Sequence, residues 1–216
     1  MGILKRFIDL LGRPRGIFGP VLLSMMNVGH RPFIEKVLEE VPIDRDDVVL
    51  DVGCGGGNAI RLMANRAASV YGVDISPVSV ASARRKNKGN VRAGRVSIME
   101  ADASNLPFED GTFDLITAFE TVYFWPEAAF CFSSIRKKLK PGGAFLVACE
   151  GVRPESGEEH PFEKMAPGVM RVYGREEMRS MLDRAGFSSV KTICPDRPGW
   201  LCMIGEREDE IGRAHV

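Results

Sequence analysis

From residue 48 onward, short β-branched runs alternate with amphipathic stretches. Val48–Val52, Val70–Val73, Val96–Met99, Phe113–Phe119 and Ala144–Cys149 are apolar runs of strand length, each followed by turn-forming residues. Between them, apolar residues recur at helical spacing over about 58–66, 77–88 and 126–139. Ser76 reads as a helix N-cap with Pro77 in the first turn. Pro141-Gly142-Gly143 reads as a turn into the fifth strand. Strands alternating with helices predict βαβ units, and hence an α/β, doubly wound, mostly parallel sheet.

The ends of the chain follow a different pattern. Residues 1–42 read as helices: an apolar stripe of Ile3, Leu4, Phe7, Ile8, Leu10 and Leu11, a second helix from about Ile17, and a third from Pro32 to Val41. They predict a helical cover over a domain spanning 43–207. Residues 151–172 carry Pro154, Gly157, Pro161, Pro167 and Gly168 and read as a long inserted loop. Gly174–Ala185 reads as a helix capped by Gly186. Val190–Cys194 and Leu201–Ile204 then predict an antiparallel hairpin at the sheet edge.

Composition narrows the class. Of 216 residues, 44% are hydrophobic and 27% charged, which suits a packed globular chain rather than a disordered one. Lys+Arg and Asp+Glu both number 29, so bulk electrostatic attraction to nucleic acid or an anionic membrane is not expected. The basic runs Arg84–Lys88 and Arg136–Lys140 fall at helix C-termini, where cations complement the dipole. No window approaches the roughly 18 apolar residues of a spanning helix. Five cysteines in no metal-ligand spacing suit reduced thiols, and with no targeting signature the expected location is cytoplasmic. No metal is expected, and oligomeric state is not readable.

The richest motif is Asp51-Val52-Gly53-Cys54-Gly55-Gly56-Gly57-Asn58, a strand running into glycines and then a helix. In open α/β sheets ligands bind at the carboxyl ends of strands, where the strand order reverses, and glycines there let a ligand lie on bare backbone. The dinucleotide pattern GxGxxG is incomplete, because Asn58 stands at its third glycine. Asp51 would repel a pyrophosphate and suit an ammonium group. A nicotinamide-dependent oxidoreductase is therefore the weaker alternative. Asp74 ends the second strand 21 residues after Gly53, where an acid can accept both hydroxyls of a ribose. Asp102 ends the third strand, where it could accept from the exocyclic amine of a purine. Each aspartate also reads as a plain turn residue.

Taken together, these motifs resemble the class I S-adenosylmethionine-dependent methyltransferases. Asp51–Gly57 is similar to their glycine-rich motif, Asp74 to their ribose-binding acid and Asp102 to their adenine-binding acid. Phe113-Asp114-Leu115-Ile116 is similar to their fourth strand, and Leu139-Lys140-Pro141-Gly142-Gly143 to the turn before their fifth. The resemblance implies a Rossmann-like sheet of seven strands with the last one antiparallel, and S-adenosylmethionine as cofactor. It further implies contacts from Asp51, Gly53, Cys54, Gly55 and Gly57 to the methionine moiety. Asp74, Ile75 and Ser76 would lie at the ribose and adenine, Asp102 and Ala103 at the adenine edge, and the Ala118 carbonyl near the amino group. A cofactor-binding module without catalysis is a further alternative.

Methyl transfer is an in-line displacement on an activated sulfonium, so alignment matters most, and a base is needed only if the nucleophile must lose a proton. The expected partner is a small-molecule acceptor, whose nucleophilic atom is not readable. His30, Glu120 and Tyr123 are the candidate catalytic residues. The aromatic group Tyr123-Phe124-Trp125 could stack on a substrate or simply fill the core.

Overall fold

A computed structural model describes residues 28–165, 167–194 and 196–208. The two helices expected before residue 28 lie outside the described residues. In chain order the elements that carry the fold are α1 (Arg31–Glu39), β1 (Val48–Val52), α2 (Asn58–Met63), β2 (Ser69–Asp74), α3 (Pro77–Lys86), α4 (Lys88–Arg92), β3 (Val96–Glu100), β4 (Phe113–Phe119), α5 (Ala128–Lys138), β5 (Leu139–Cys149), α6 (Pro161–Met165), α7 (Arg175–Arg184), β6 (Ser188–Thr192) and β7 (Leu201–Glu206).

The strands form one seven-stranded sheet in the order β3-β2-β1-β4-β5-β7-β6. Neighbouring strands from β3 across to β5 are parallel, while β7 runs antiparallel to both β5 and β6. The order reverses between β1 and β4, which places the expected ligand crevice at their carboxyl ends. Side-chain alternation divides the core between the two faces. Val49, Leu115 and Leu146 pack with α1 and α2, through Phe33, Val37, Ile60 and Met63. Leu50, Ile116 and Phe145 pack with α5 and α7, through Phe132, Ile135, Met178 and Leu182. Burial on both faces explains why β1 reads as a nearly continuous apolar run.

Several boundaries differ from the sequence reading for identifiable reasons. Pro141-Gly142-Gly143 is not a turn before β5 but a bulge inside it: Leu139 already pairs with Phe113, and the register shifts before Leu115. Gly142 has φ +77° and donates its N–H to the Arg207 carbonyl at 2.7 Å. A Cβ on Gly143 would approach the carbonyl oxygens of Phe113, Asp114 and Lys140 at 3.0 Å. The helix expected over 77–88 ends at Lys86, because Asn87 turns its side-chain amide onto the carbonyls of Gly57 (3.1 Å) and Ala83 (3.0 Å). The helix after β1 stops at Met63, and Arg66 reaches back to the carbonyls of Leu38 and Val41 at 2.7 and 2.8 Å. The segment 151–172 is not bare loop. It contains α6, and Arg153 pairs with Glu163 at 2.7 Å. The first strand of the hairpin lies earlier than expected, over Ser188–Thr192, and Cys194 beyond it has φ +52°.

Candidate functional site

The loop after β1 is shaped by three left-handed glycines with different tasks. Gly53 (φ +73°) and Cys54 both donate their N–H to the Val73 carbonyl, at 2.8 and 2.9 Å. A Cβ on Gly53 would lie 2.0 Å from Thr121 Oγ1, so only glycine lets the turn after β4 come this close. Gly57 (φ +79°) is the N-cap of α2, and a Cβ there would meet Asn87 Nδ2 at 2.7 Å and Ala83 Cβ at 2.9 Å. Gly55 (φ +51°) is different: a Cβ there would meet nothing within 4 Å. Its bare backbone faces open space.

Asp74 organises this loop. One carboxylate oxygen accepts the Gly55 N–H and the other accepts the Ser76 N–H, both at 2.8 Å. Burial raises the carboxyl above the ordinary aspartate value, and the two N–H groups oppose that rise. The Ser79 side chain opposes it too, and the carboxylate also lines the cavity around these residues. Ser76 caps α3, its Oγ accepting the Ser79 N–H at 3.2 Å. Asp102 Oδ1 accepts from the Ser104 N–H at 2.8 Å and from its hydroxyl at 2.7 Å, so the turn reading of Asp102 is realised as well.

Around these residues lies a cavity of about 160 Å³. Gly53, Asp74, Ile75, Asp102 and Ala103, all singled out from sequence, line it; Thr121, Phe124, Trp125 and Glu127 form the opposite wall. Ile75 is 37% exposed, an apolar side chain left uncovered. The lining contains three carboxylates and neither lysine nor arginine. That donor set repels a pyrophosphate and suits a ligand with hydroxyls, a flat base and a cationic centre.

The other predicted residues lie outside the lining. Asp51 is buried, and its Oδ1 accepts the Thr117 hydroxyl at 2.8 Å. Burial pushes its carboxyl up to about 7, against the Thr117 hydrogen bond, and the Asp74 charge adds to the rise. Cys54 is buried, and desolvation pushes its thiol well up. Ala118 is fully buried and pairs with Val147 inside the sheet.

A second group of polar side chains gathers where β4 and β5 end. Glu120, with φ +54°, follows β4, and its carboxylate accepts the Glu150 backbone N–H just beyond β5. His30, at the N-cap of α1, lies with Nδ1 2.6 Å from Glu150 Oε2. Burial pushes Glu120 up to about 7, with the His30 charge and the Glu150 N–H opposing. Tyr123 is buried in the core and accepts the Gly151 N–H at 2.8 Å; desolvation drives its hydroxyl upward. The aromatic group therefore divides: Tyr123 and Trp125 are buried in the core, and Phe124 and one side of Trp125 line the cavity. Sequence reasoning missed Glu150 and Thr121, although both follow strand ends and the same rule finds them. Three residues of the second basic run are occupied internally: Arg136 Nε donates to the Gly186 carbonyl at 2.8 Å, and Lys138 and Lys140 pair with Asp110 and Asp114 at 2.7 Å.

An open sheet of this order, with its crevice at the strand-order reversal, defines a Rossmann-like α/β protein. Residues 50–147 match the methyltransferase domain family. An uncharacterised methyltransferase of Synechocystis sp. is 29% identical over 177 residues, covering 78% of this chain and 80% of that protein. The 27-O-demethylrifamycin SV methyltransferase of Amycolatopsis mediterranei is 31% identical over 176 residues, covering 77% of this chain and 64% of that protein. A solved structure of geranyl diphosphate methyltransferase in complex with S-adenosylmethionine has the same fold, with a TM-score of 0.70 at 16% identity, over 91% of this chain and 93% of that one. Across the first relatives the chain spans from 40% to 80% of their length. Over residues 50–147 the chain carries a methyltransferase domain, and the relatives it matches are methyltransferases. S-adenosylmethionine fits the donor set of the cavity, with its acidic walls and no basic side chain. Among the described residues, no helix is long and apolar enough to cross a membrane.

Proposed function

We propose that the chain methylates a small-molecule acceptor at the carboxyl ends of β1–β5. The observation that carries this reading is the cavity joining Gly53, Asp74 and Asp102 at three successive strand ends, with no basic side chain in its lining. S-adenosylmethionine, when bound, supplies a methyl group already activated on a sulfonium. The chain's own residues bind, orient and exclude water. The open backbone at Gly55 receives the methionine moiety, Asp74 accepts the ribose hydroxyls, Ile75 covers the adenine face, and Asp102 with the Ala103 backbone reads its edge. Asp51, Cys54, Gly57, Ser76 and Ala118 act from behind by holding the loop and strand ends in place.

The acceptor lies toward Phe124, Glu120 and His30, beside the insertion 151–172 of the 43–207 domain. The relatives named above include a rifamycin and a geranyl diphosphate methyltransferase, which supports a small-molecule acceptor rather than a nucleic acid. All five cysteines are free and buried, which supports a reducing, cytoplasmic setting. The test is incubation with methyl-labelled S-adenosylmethionine and a pooled metabolite extract. One or more labelled small molecules are expected, identified by mass; saturable cofactor binding with no labelled product would favour the non-catalytic module.

A further inference from the structure

We propose that His30, oriented by Glu150, takes a proton from the methyl acceptor, and that the acceptor is therefore protic, attacking through an O–H or N–H group. The inference rests on the methyl-transfer reading and adds the acceptor class and the proton's destination.

The two side chains are 120 residues apart in sequence, yet His30 Nδ1 lies 2.6 Å from Glu150 Oε2. With Nδ1 as the donor to this carboxylate, Nε2 is left as the basic nitrogen. Glu150 is itself held, because its backbone N–H donates to the Glu120 carboxylate. Glu120 stands in the left-handed region, which a non-glycine residue occupies only where its surroundings impose it. Its own N–H donates to the Ala148 carbonyl at 2.9 Å, so β5 supplies the restraint. A carboxylate behind an imidazole, on a residue whose backbone is held in place, is the arrangement of an oriented base. Glu120 is a positioning residue in this account.

A plain ion pair explains less. The paired side chains are 31% and 36% exposed, where such a pair adds little to stability, so it does not by itself explain a strained residue and three aligned groups. In the reaction, the lone pair of the acceptor oxygen or nitrogen forms the bond to the methyl carbon. The carbon–sulfur bond of the sulfonium donor breaks with its electron pair going to sulfur. The acceptor's proton passes to His30 Nε2, and the Glu150 carboxylate balances the imidazolium. An acceptor attacking through carbon would place no O–H or N–H before this nitrogen.

The test compares wild type, His30→Ala and Glu150→Gln with methyl-labelled S-adenosylmethionine and pooled metabolites, with cofactor affinity and thermal melting measured in parallel. The labelled product is expected to be an O- or N-methyl compound. His30→Ala should transfer label about a hundredfold more slowly at unchanged cofactor affinity, and added imidazole should restore part of the rate. Glu150→Gln should fall in the same direction by less. Imidazole rescue is the readout that a purely structural histidine would not give. A C-methyl product, a fully active His30→Ala, or loss without rescue overturns the inference. So does transfer that stops with a chelator and returns with Mn²⁺, since the ligand atoms of His30, Glu120 and Glu150 lie within 4.8 Å of one another and would then be metal ligands. Absence of cofactor binding to wild type overturns the methyl-transfer reading as well, and calorimetry separates the two failures.

Discussion

The carboxylate of Asp74, at the end of β2, accepts the backbone N–H of Gly55 at 2.8 Å and so ties a second strand to the glycine loop of the first. One residue thus shapes the loop and faces the cavity. Asp74→Ala removes two charge-assisted hydrogen bonds to backbone, each of the kind that contributes about 1.5–3 kcal/mol. The expected result is a loss of about 3–6 kcal/mol in chemical denaturation, less the cost of burying the carboxyl, together with loss of cofactor binding. Asp74→Asn keeps one acceptor oxygen and should fall between. An Asp74→Ala variant that binds cofactor normally would remove this residue from the site.

Gly55 and Gly57 are two positions apart and should fail in different ways. Gly57→Ala drives a methyl group into Asn87 and Ala83 in a left-handed conformation, which should cost about 1–3 kcal/mol of stability. Gly55→Ala meets open space, so its stability loss should be about 1 kcal/mol, while its methyl group projects where the ligand is placed. Melting curves and cofactor titrations on both variants check the contrast. Equal binding losses at matched stability would contradict the division of roles.

This contrast marks what could be read from sequence. The run Val48–Val52 announced a buried central strand, and the rule of strand ends then led to Asp74 and Asp102. The same glycine string did not say which residue faces a ligand and which faces a helix, because that depends on where Asn87 and Thr121 come to rest. The Pro141–Gly143 segment reads as a turn, since a bulge uses the same residues and only pairing with Phe113 distinguishes them. The His30–Glu150 contact joins the segment before β1 to the end of β5, a juxtaposition set by the strand order and by no local pattern.

Asp51 should give the fold a distinctive pH dependence. Its carboxyl is raised to about 7, so the folded state favours the protonated form. The stability this contributes is fully present below the ordinary aspartate value and is lost as pH rises through about 7. The shift is worth at most about 4 kcal/mol. Asp51→Asn does not titrate, so it should gain stability relative to wild type between about pH 5 and about pH 8. Denaturant midpoints at both pH values decide it, and a constant difference would show that Asp51 ionises freely in the fold.

Arg153 secures the insertion. It pairs with Glu163 at 2.7 Å and lies 3.6 Å from Glu177. Burial pushes the Glu163 carboxyl up, but Arg153 and the N–H groups of His160 and Val172 outweigh it and hold it below the usual range. Arg153→Met leaves Glu163 buried without that partner and should cost about 1–3 kcal/mol locally. Faster limited proteolysis within 151–172 is expected, with little change at the sheet. An unchanged cleavage pattern would show that other contacts hold the segment.

The most direct test of the central claim is calorimetric titration of the wild-type chain with S-adenosylmethionine and S-adenosylhomocysteine, with Asp102→Ala alongside because that residue sits on a turn rather than in the core. Saturable binding of both compounds at one site is expected, with weakening in Asp102→Ala well beyond what the small stability loss from its Ser104 hydrogen bonds explains. No heat with either compound, or full affinity in the variant, would contradict it.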